Sequence, residues 1–417
     1  MTTTLEHARE VLRRALASPN SDFYRRKYGT DPHVQAAVEG GDWSEVPFLT
    51  RDEIQSASVW DRIFSDDKRN VNALRPTSGT SGRGMLLLPR LSEGKEAVRW
   101  QHWFYGALPI RRVASFSGAQ FLYTYYNPER IGTLQLVPGD IPLSAFLVER
   151  YAPDALAGFP YALVALAPLL SQESRNRIQA VQLFGELCTP ADWKFLQAHF
   201  PKSIFSVEYS SIEAQTPVAT SCAETARLHE LLVHPLADAA HVEIIDVSGK
   251  EVTEVGASGE IVITALRPTA FPIIRYKTGD SARIVRLDCP CGATTPLLQI
   301  EGRIEIDRLR IRGGEIQTNE VGRVLASLGQ YVKGNEFEAR VSEVMHDNSL
   351  VPQLTIACAV KEGVSLAWLA ARIAESLRVA PDYTWAHGVS EGKYVPLVLL
   401  NEAIAPAAAK RKRLVRV

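Results

Sequence analysis

Residues 77–84 read Thr77-Ser78-Gly79-Thr80-Ser81-Gly82-Arg83-Gly84, and the apolar run Met85 to Leu88 follows. Three glycines let a backbone turn its N–H groups inward as an anion nest, and four neighbouring hydroxyls can donate to phosphate oxygens. Such a loop suits a polyphosphate. It is not a Walker A loop, because no Gly-Lys-[Ser/Thr] follows at the required spacing, and it lacks the Gly-x-Gly-x-x-Gly dinucleotide fingerprint.

Outward from this loop, helical periodicity covers Thr4 to Ala17, Glu93 to Tyr105 and Pro153 to Leu170. Val207 to Tyr209, His241 to Asp246 and Gly259 to Thr264 read as strands ending in turns. The alternation predicts a mixed α/β body. Near residue 302 the texture changes: Glu305 to Arg312 alternates charged and aliphatic residues like an exposed strand, and Gly313-Gly314 precedes a helix-like run from Asn319 to Leu328. Strand-like Phe337 to Val344 and Gln353 to Val360, an amphipathic helix over Leu366 to Leu377 and strand-like Tyr394 to Leu399 complete a small α+β domain. The fold expected is therefore α/β, with a large multi-sheet domain over 1–302 and a smaller α+β domain over 303–417.

Composition fits two domains. The chain has 417 residues, 46% apolar and 22% charged, enough to bury more than one core and too apolar for disorder. Forty-six Lys plus Arg against 47 Asp plus Glu gives a net charge of −1, so the bulk balance calls for neither nucleic acid nor an anionic membrane. Five of the last eight residues are basic; without them the balance is 41 against 47, or −6. The amino terminus has no sustained apolar segment, and the greasiest stretch, Phe159 to Leu170, contains two prolines and is too short to span a bilayer, so a cytoplasmic protein is expected. Five cysteines, at 188, 222, 289, 291 and 358, point to metal or buried-thiol roles rather than disulfides.

The loop has company in a fixed order. Val46-Pro47-Phe48-Leu49-Thr50-Arg51-Asp52-Glu53 lies upstream; Ala157-Gly158-Phe159-Pro160, Phe184-Gly185-Glu186, Tyr209-Ser210-Ser211-Ile212-Glu213 and Pro272-Ile273-Ile274-Arg275-Tyr276-Lys277-Thr278-Gly279-Asp280 lie downstream. In this series the sequence resembles the adenylate-forming ligases, and within them the phenylacetate–CoA ligase-like branch, whose loop reads Ser-Ser-Gly-Thr-Thr-Gly-Lys. The likeness runs from about residue 46 to the last residues, with Arg83 in place of the loop lysine.

The resemblance implies carboxylate activation: an acid is joined to the α-phosphate of ATP and pyrophosphate leaves. Ser78, Gly79, Thr80, Ser81 and Gly82 would cradle phosphate, with Gly185, Glu186, Tyr209, Ser210 and Asp280 completing the ATP/AMP site. Tyr209 can stack on adenine, Glu213 can hold a Mg²⁺ that bridges phosphates, and Asp280, in a turn, can accept from ribose hydroxyls. Gly302-Arg303 followed by Asp307 resembles the hinge on which the small domain rotates between half-reactions. The segment is one residue longer than the family's Gly-Arg-x-Asp/Lys-Asp, leaving Glu305 and Asp307 as alternative pivots. Family members also carry a late lysine in Gly-Lys-x-x-Arg. Aligning Arg413 with that arginine gives Lys410 this place, after Ala409 rather than glycine, with Lys412 as the rival. The implied catalytic set is Lys410, Glu213 and Arg303. A point cation beside a pentacoordinate phosphate stabilises charge that grows in the transition state.

Cys289-Pro290-Cys291-Gly292 offers two thiolates on a tight turn, and Cys222 with His229 supplies two further ligands for a closed, structural Zn²⁺ site. His234 and His241 are alternative fourth ligands, and Cys188 and Cys358 read as buried thiols. Trp103, Phe104, Tyr105, Phe121, Tyr123, Tyr125 and Tyr126 could wall a pocket for a flat aryl or heteroaryl acid. Coenzyme A, a carrier-protein thiol or an amine could each accept the acyl group, and the pattern leaves room for a homodimer. The reading from another class is a non-catalytic relative that binds nucleotide or acyl ligand as a scaffold, suggested by Arg83, Ala409 and the altered hinge.

Overall fold

The computed structural model describes residues 3–416 except 19–21, 64–70, 77–86, 92–107, 117–131, 268–269, 305–306, 312–313, 347–348, 381 and 405–412. The phosphate loop, the seven aromatics of the proposed acid wall, the helix expected over Glu93 to Tyr105, Glu305, Lys410 and Lys412 lie outside the described residues. The chain forms two compact units. The first comprises 1–109, 119–131 and 206–300, and the second 110–118, 132–205 and 301–417. No helix among the described residues is long and apolar enough to cross a membrane.

In the first unit the helix Thr4–Ala17 begins at a reciprocal capping box between Thr3 and Glu6 and buries Ala8, Val11, Leu12 and Ala15 at helical spacing. A sheet follows in the order Ala240–Ile245, Ser258–Ala265, Tyr276–Arg286, Leu297–Arg303. The first two pairings are antiparallel. Tyr24, Tyr28, Phe271, Ile261, Ile263, Ile273 and Ile274 belong to its core. Tyr24 and Tyr28 bury their rings there and still donate their hydroxyls to the carbonyls of Pro272 and Ile274, which satisfies them without water. The antiparallel strands Val71–Pro76 and Leu87–Leu91 pair from Pro76↔Leu87 outward and flank the phosphate-loop sequence.

In the second unit four short strands run parallel in the order Gly132–Gln135, Arg112–Ser115, Ala155–Gly158, Ala180–Leu183. The helix expected over Pro153 to Leu170 is corrected here. Ala155–Gly158 is a strand, Pro160–Leu166 is a helix and Ala167–Leu169 is a 3₁₀ turn. An apolar run buried on both faces loses its alternation, so periodicity cannot tell a central parallel strand from a buried helix. Pro160 then holds Phe159 extended and starts the helix at its first position. Gly158 is required because a Cβ there would lie 2.7 Å from the Cβ of Phe116, just past the adjacent strand Arg112–Ser115.

The rest of this unit is built on the antiparallel hairpin Val332–His346 and Ser349–Val360, extended on its two sides by parallel pairing with Leu414–Arg416 and Val398–Asn401. Helices Thr318–Ser327 and Leu366–Ser376 bury apolar stripes, including Val321, Val324 and Leu325 on one and Leu369 and Ile373 on the other. The strand expected from Tyr394 begins only at Val398. Tyr394 instead stacks on Trp385, with centroids 4.5 Å apart, and seals the space left by Gly388, where a Cβ would come within 2.0 Å of its ring.

Candidate functional site

In the first unit the motif residues converge at the end of one strand. Ile204–Ser211 carries Tyr209 and Ser210, and the turn after it carries Glu213. Thr278 Oγ1 accepts the Asp280 N–H at 3.0 Å while its hydroxyl donates to the Ile261 carbonyl at 2.8 Å, fixing the bend that presents Asp280. Tyr209 Oη donates to Asp280 Oδ2 at 2.7 Å, joining residues 71 apart in sequence. Ser210 donates to buried Glu208.

Glu213 has partners that sequence reading passed over. Ser211 Oγ lies 3.0 Å from its Oε2, and Arg51 Nη1 and Tyr276 Oη each lie 3.3 Å from its Oε1. Arg51 opens the helix Arg51–Ser56 behind a Thr50–Glu53 capping box. Leu49, just before it, exchanges backbone hydrogen bonds with Arg275 and Lys277, 2.9 Å each, which sets that helix beside Tyr276. Arg51 stands inside the Val46–Glu53 stretch and Tyr276 inside Pro272–Asp280, so position was the available signal. Burial, then the Glu213 carboxylate, holds the Tyr276 phenol well above its ordinary value, so it remains a donor. One carboxylate pinned on three sides fits a Mg²⁺ that takes most of its ligands from phosphates and water.

In the second unit Gly185 has φ +83° and a Cβ there would fall 2.5 Å from the Phe159 ring, so only glycine fits. Glu186 Oε1 accepts the Tyr161 N–H at 2.9 Å at the start of helix Pro160–Leu166. Burial, then Glu186, pushes the Tyr161 phenol up to about 12. Arg303 donates its N–H to Asp307 Oδ2 at 3.0 Å, Thr318 Oγ1 donates to Asp307 Oδ1 at 3.2 Å, and the Asp307 N–H returns to the Arg303 carbonyl at 2.8 Å. Asp307 thus knots the turn after Gly302.

The metal-ligand set is corrected at one position. Cys222, His234, Cys289 and Cys291 place one ligand atom each within 4.8 Å of one another, and His229 is not in the set. His229 leaves the short helix Ala223–Arg227 at φ +55°, whereas His234 sits on a strand paired with Thr220, two residues from Cys222. The Thr295 carbonyl lies 2.8 Å from His234 Nδ1 and so turns Nε2 toward Cys291 Sγ, 3.4 Å away. Cys222 and Cys289 Sγ are 3.8 Å apart. Tetrahedral zinc with Zn–S about 2.3 Å and Zn–N about 2.0 Å needs S···S of about 3.8 Å and S···N of about 3.5 Å. Gly292, at φ +81°, closes the Cys289–Cys291 turn. His241 is placed elsewhere, with Nδ1 2.9 Å from Thr4 Oγ1.

No family model matches the chain. A phenylacetate–coenzyme A ligase of Thermus thermophilus is 25% identical over 335 residues, covering 74% of this chain and 72% of the relative. The phenylacetate–coenzyme A ligase of Escherichia coli is 24% identical over 325 residues, covering 72% and 70%. In sequence the chain is similar to the phenylacetate–CoA ligase-like branch of the adenylate-forming enzymes. A solved 2-hydroxyisobutyryl-CoA ligase in a postadenylation state matches 99% of this chain and 89% of its own with TM-score 0.78 at 18% identity, which shows a common fold. An anthranilate CoA ligase holding anthranoyl-AMP covers 84% of this chain and 66% of its own with TM-score 0.56 at 13% identity. By that likeness the chain is an AMP-forming acid–thiol ligase by class.

Proposed function

We propose that this chain activates a carboxylic acid with ATP and Mg²⁺ and transfers the acyl group to coenzyme A. The observation that carries the reading is the cluster of Tyr209, Asp280, Glu213, Arg51 and Tyr276, which joins an aromatic, a hydrogen-bond-accepting carboxylate and a pinned second carboxylate. A carboxylate oxygen of the acid attacks the α-phosphorus of ATP, and the bond to the pyrophosphate oxygen breaks. The CoA thiolate then attacks the acyl carbon, and AMP leaves with the electron pair. Bound Mg²⁺ would neutralise phosphate charge. Asp280 accepts from the ribose hydroxyls, Glu213 supplies the metal's protein carboxylate, the 78–82 loop donates to phosphate and Lys410 supplies the positive charge of the first step. Arg303 and Asp307 belong to the segment on which the small domain turns.

The acid is read as an aryl or heteroaryl carboxylate from the aromatic content of residues 103–126. A structural Zn²⁺ on Cys222, His234, Cys289 and Cys291 ties three segments of the first unit together, and the distances around those atoms support it. The test is acid-dependent exchange of labelled pyrophosphate into ATP over a panel including phenylacetate and benzoate, followed by thioester analysis with CoA. Exchange in wild type, with at least about a hundredfold loss in Lys410→Ala, is expected. ATP binding without exchange for any acid would leave the scaffold reading standing, and acyl transfer only to an amine or a carrier protein would overturn CoA as acceptor.

A further inference from the structure

The strongest unassigned constellation is a buried charge cluster in the second unit. Asp192, fully buried in the first turn of helix Pro190–His199, forms a capping box with Thr189: Thr189 Oγ1 donates to Asp192 Oδ2 at 2.7 Å and the Thr189 N–H follows at 3.2 Å. A cap alone explains a carboxylate or hydroxyl at such a place. It does not explain the guanidinium of Arg413, 221 residues away, which grips both oxygens with Nη1 at 2.6 Å from Oδ2 and Nη2 at 3.1 Å from Oδ1. Thr189 Oγ1 lies 3.3 Å from Nη1 and Glu336 Oε1 lies 3.4 Å from Nη2, while the Phe337 ring centroid is 5.5 Å from the guanidinium carbon. Gly322 lets helix Thr318–Ser327 approach this corner, since a Cβ there would come within 3.2 Å of Thr189 Cβ.

Arg413 opens the strand Leu414–Arg416, and its carbonyl accepts the Ala339 N–H at 2.7 Å, so the guanidinium and the strand are fixed together. Its two carboxylates differ in origin. Glu336 lies on the hairpin that Leu414–Arg416 joins, whereas Asp192 lies on a helix six residues past Glu186, and Cys188, between them in sequence, feels the charges of Asp192, Arg413 and Glu186 together.

We infer that Asp192 is a positioning residue for acyl-adenylate formation, acting through its bidentate pair with Arg413 on the register of the segment that ends three residues after Lys410. The inference rests on the ligase reading above. A bidentate pair fixes orientation as well as distance, and a cationic group misplaced by about 1 Å costs roughly a hundredfold in rate. The thioester-forming step, which does not need that cation, is indifferent to the pair.

The experiment compares the half-reactions in Asp192→Asn, whose amide keeps the volume and the cap, and in Arg413→Lys, which keeps the charge without the fork. Pyrophosphate–ATP exchange with phenylacetate or benzoate should fall by about a hundredfold in both. Thioester formation from the synthetic acyl-adenylate and CoA should stay within about threefold of wild type, and hydrogen exchange of the Leu414–Val415 amides should accelerate. Equal loss of both half-reactions, as mere destabilisation would give, overturns the role of Asp192, and so does full retention of exchange. Failure of wild type itself to exchange pyrophosphate with any acid overturns the ligase reading and this inference with it.

Discussion

Two arginine–carboxylate pairs, Arg275 with Glu243 and Arg51 with Glu213, meet at neighbouring residues of the Pro272–Asp280 motif, Arg275 and Tyr276, and are built in opposite ways. Arg275 and Glu243 are each 2% exposed in their side chains; Arg275 meets both oxygens of Glu243, at 3.2 and 2.8 Å, and spends its remaining nitrogen on the carbonyls of Ser44 and Val46, while Trp43 Nε1 donates to Glu243 at 3.2 Å. The Phe48 ring covers the guanidinium at 4.3 Å. Beside it, Tyr276 and Arg51 reach a single oxygen of Glu213 at 3.3 Å, and the Arg51 and Glu213 side chains are 15% and 14% exposed. The first pair is saturated and dry, so it can only build. The second is held by single contacts, Ser211 on Oε2 at 3.0 Å and Arg51 and Tyr276 on Oε1 at 3.3 Å, with no bidentate grip, so a metal can share the carboxylate without tearing the fold.

Arg275→Ala breaks the first pair and leaves Glu243 charged and buried, which should cost about 3–5 kcal/mol and unfold the first unit at a much lower temperature. Thermal unfolding within about 1 kcal/mol of wild type would erase the contrast. Glu213→Gln should do the reverse. Melting should hold near the wild-type value while pyrophosphate exchange drops by about 10²–10³-fold, and raising Mg²⁺ should recover only part of the loss. An unstable Glu213→Gln protein with unimpaired exchange would place Glu213 with the builders.

The cysteine cluster offers a third arrangement, in which the cation would come from outside. His234→Ala should reduce zinc from about one per chain to a small fraction after dialysis against a weak chelator, with His229→Ala unchanged, as elemental analysis would report. In the chelated protein a thiol reagent should reach exposed Cys291 first and leave buried Cys188 and Cys358 intact. Burial, then Asp192, holds the Cys188 thiol well above its ordinary value, and burial pushes the Cys358 thiol up to about 11. Equal zinc loss from the two histidine variants would return the fourth ligand to the choice that spacing alone left open.

That choice marks where the sequence stopped being legible. Glu213 and Asp280 stood out as candidates because each sits in a short motif; the structure puts Glu213 in a turn, and Asp280 within the strand Tyr276–Arg286 rather than in the turn expected, just after Gly279 at φ +75°. His234 could not be told from His229, since the spacing from Cys222 does not say which one shares a strand pairing with the cysteine's segment. Asp192 reads locally as a cap, and nothing near it in sequence announces Arg413. The α/β alternation and the α+β pattern after residue 302 were readable from periodicity, which failed at Ala155–Gly158 because a strand covered on both faces has no polar side to show. Long-range partners are set by topology, and a linear pattern carries little of that.

Tyr276→Phe tests the smallest term. The lost hydrogen bond to Glu213 should cost about 1 kcal/mol, a roughly fivefold effect on exchange, with little change in melting near neutral pH. The alkaline limb sharpens this. Burial raises the phenols of Tyr24, Tyr28 and Tyr276 in the folded chain, while in the unfolded chain they ionise near pH 10. Above about pH 10 the folded state therefore binds more protons than the unfolded one, so stability falls as pH rises, with the full contribution present below that pH. Tyr276→Phe removes one of the three groups and should make the alkaline decline of the melting temperature measurably shallower. A decline of unchanged steepness would mean that the phenol titrates normally in the folded chain, and with it that Glu213 is not held by a permanent donor.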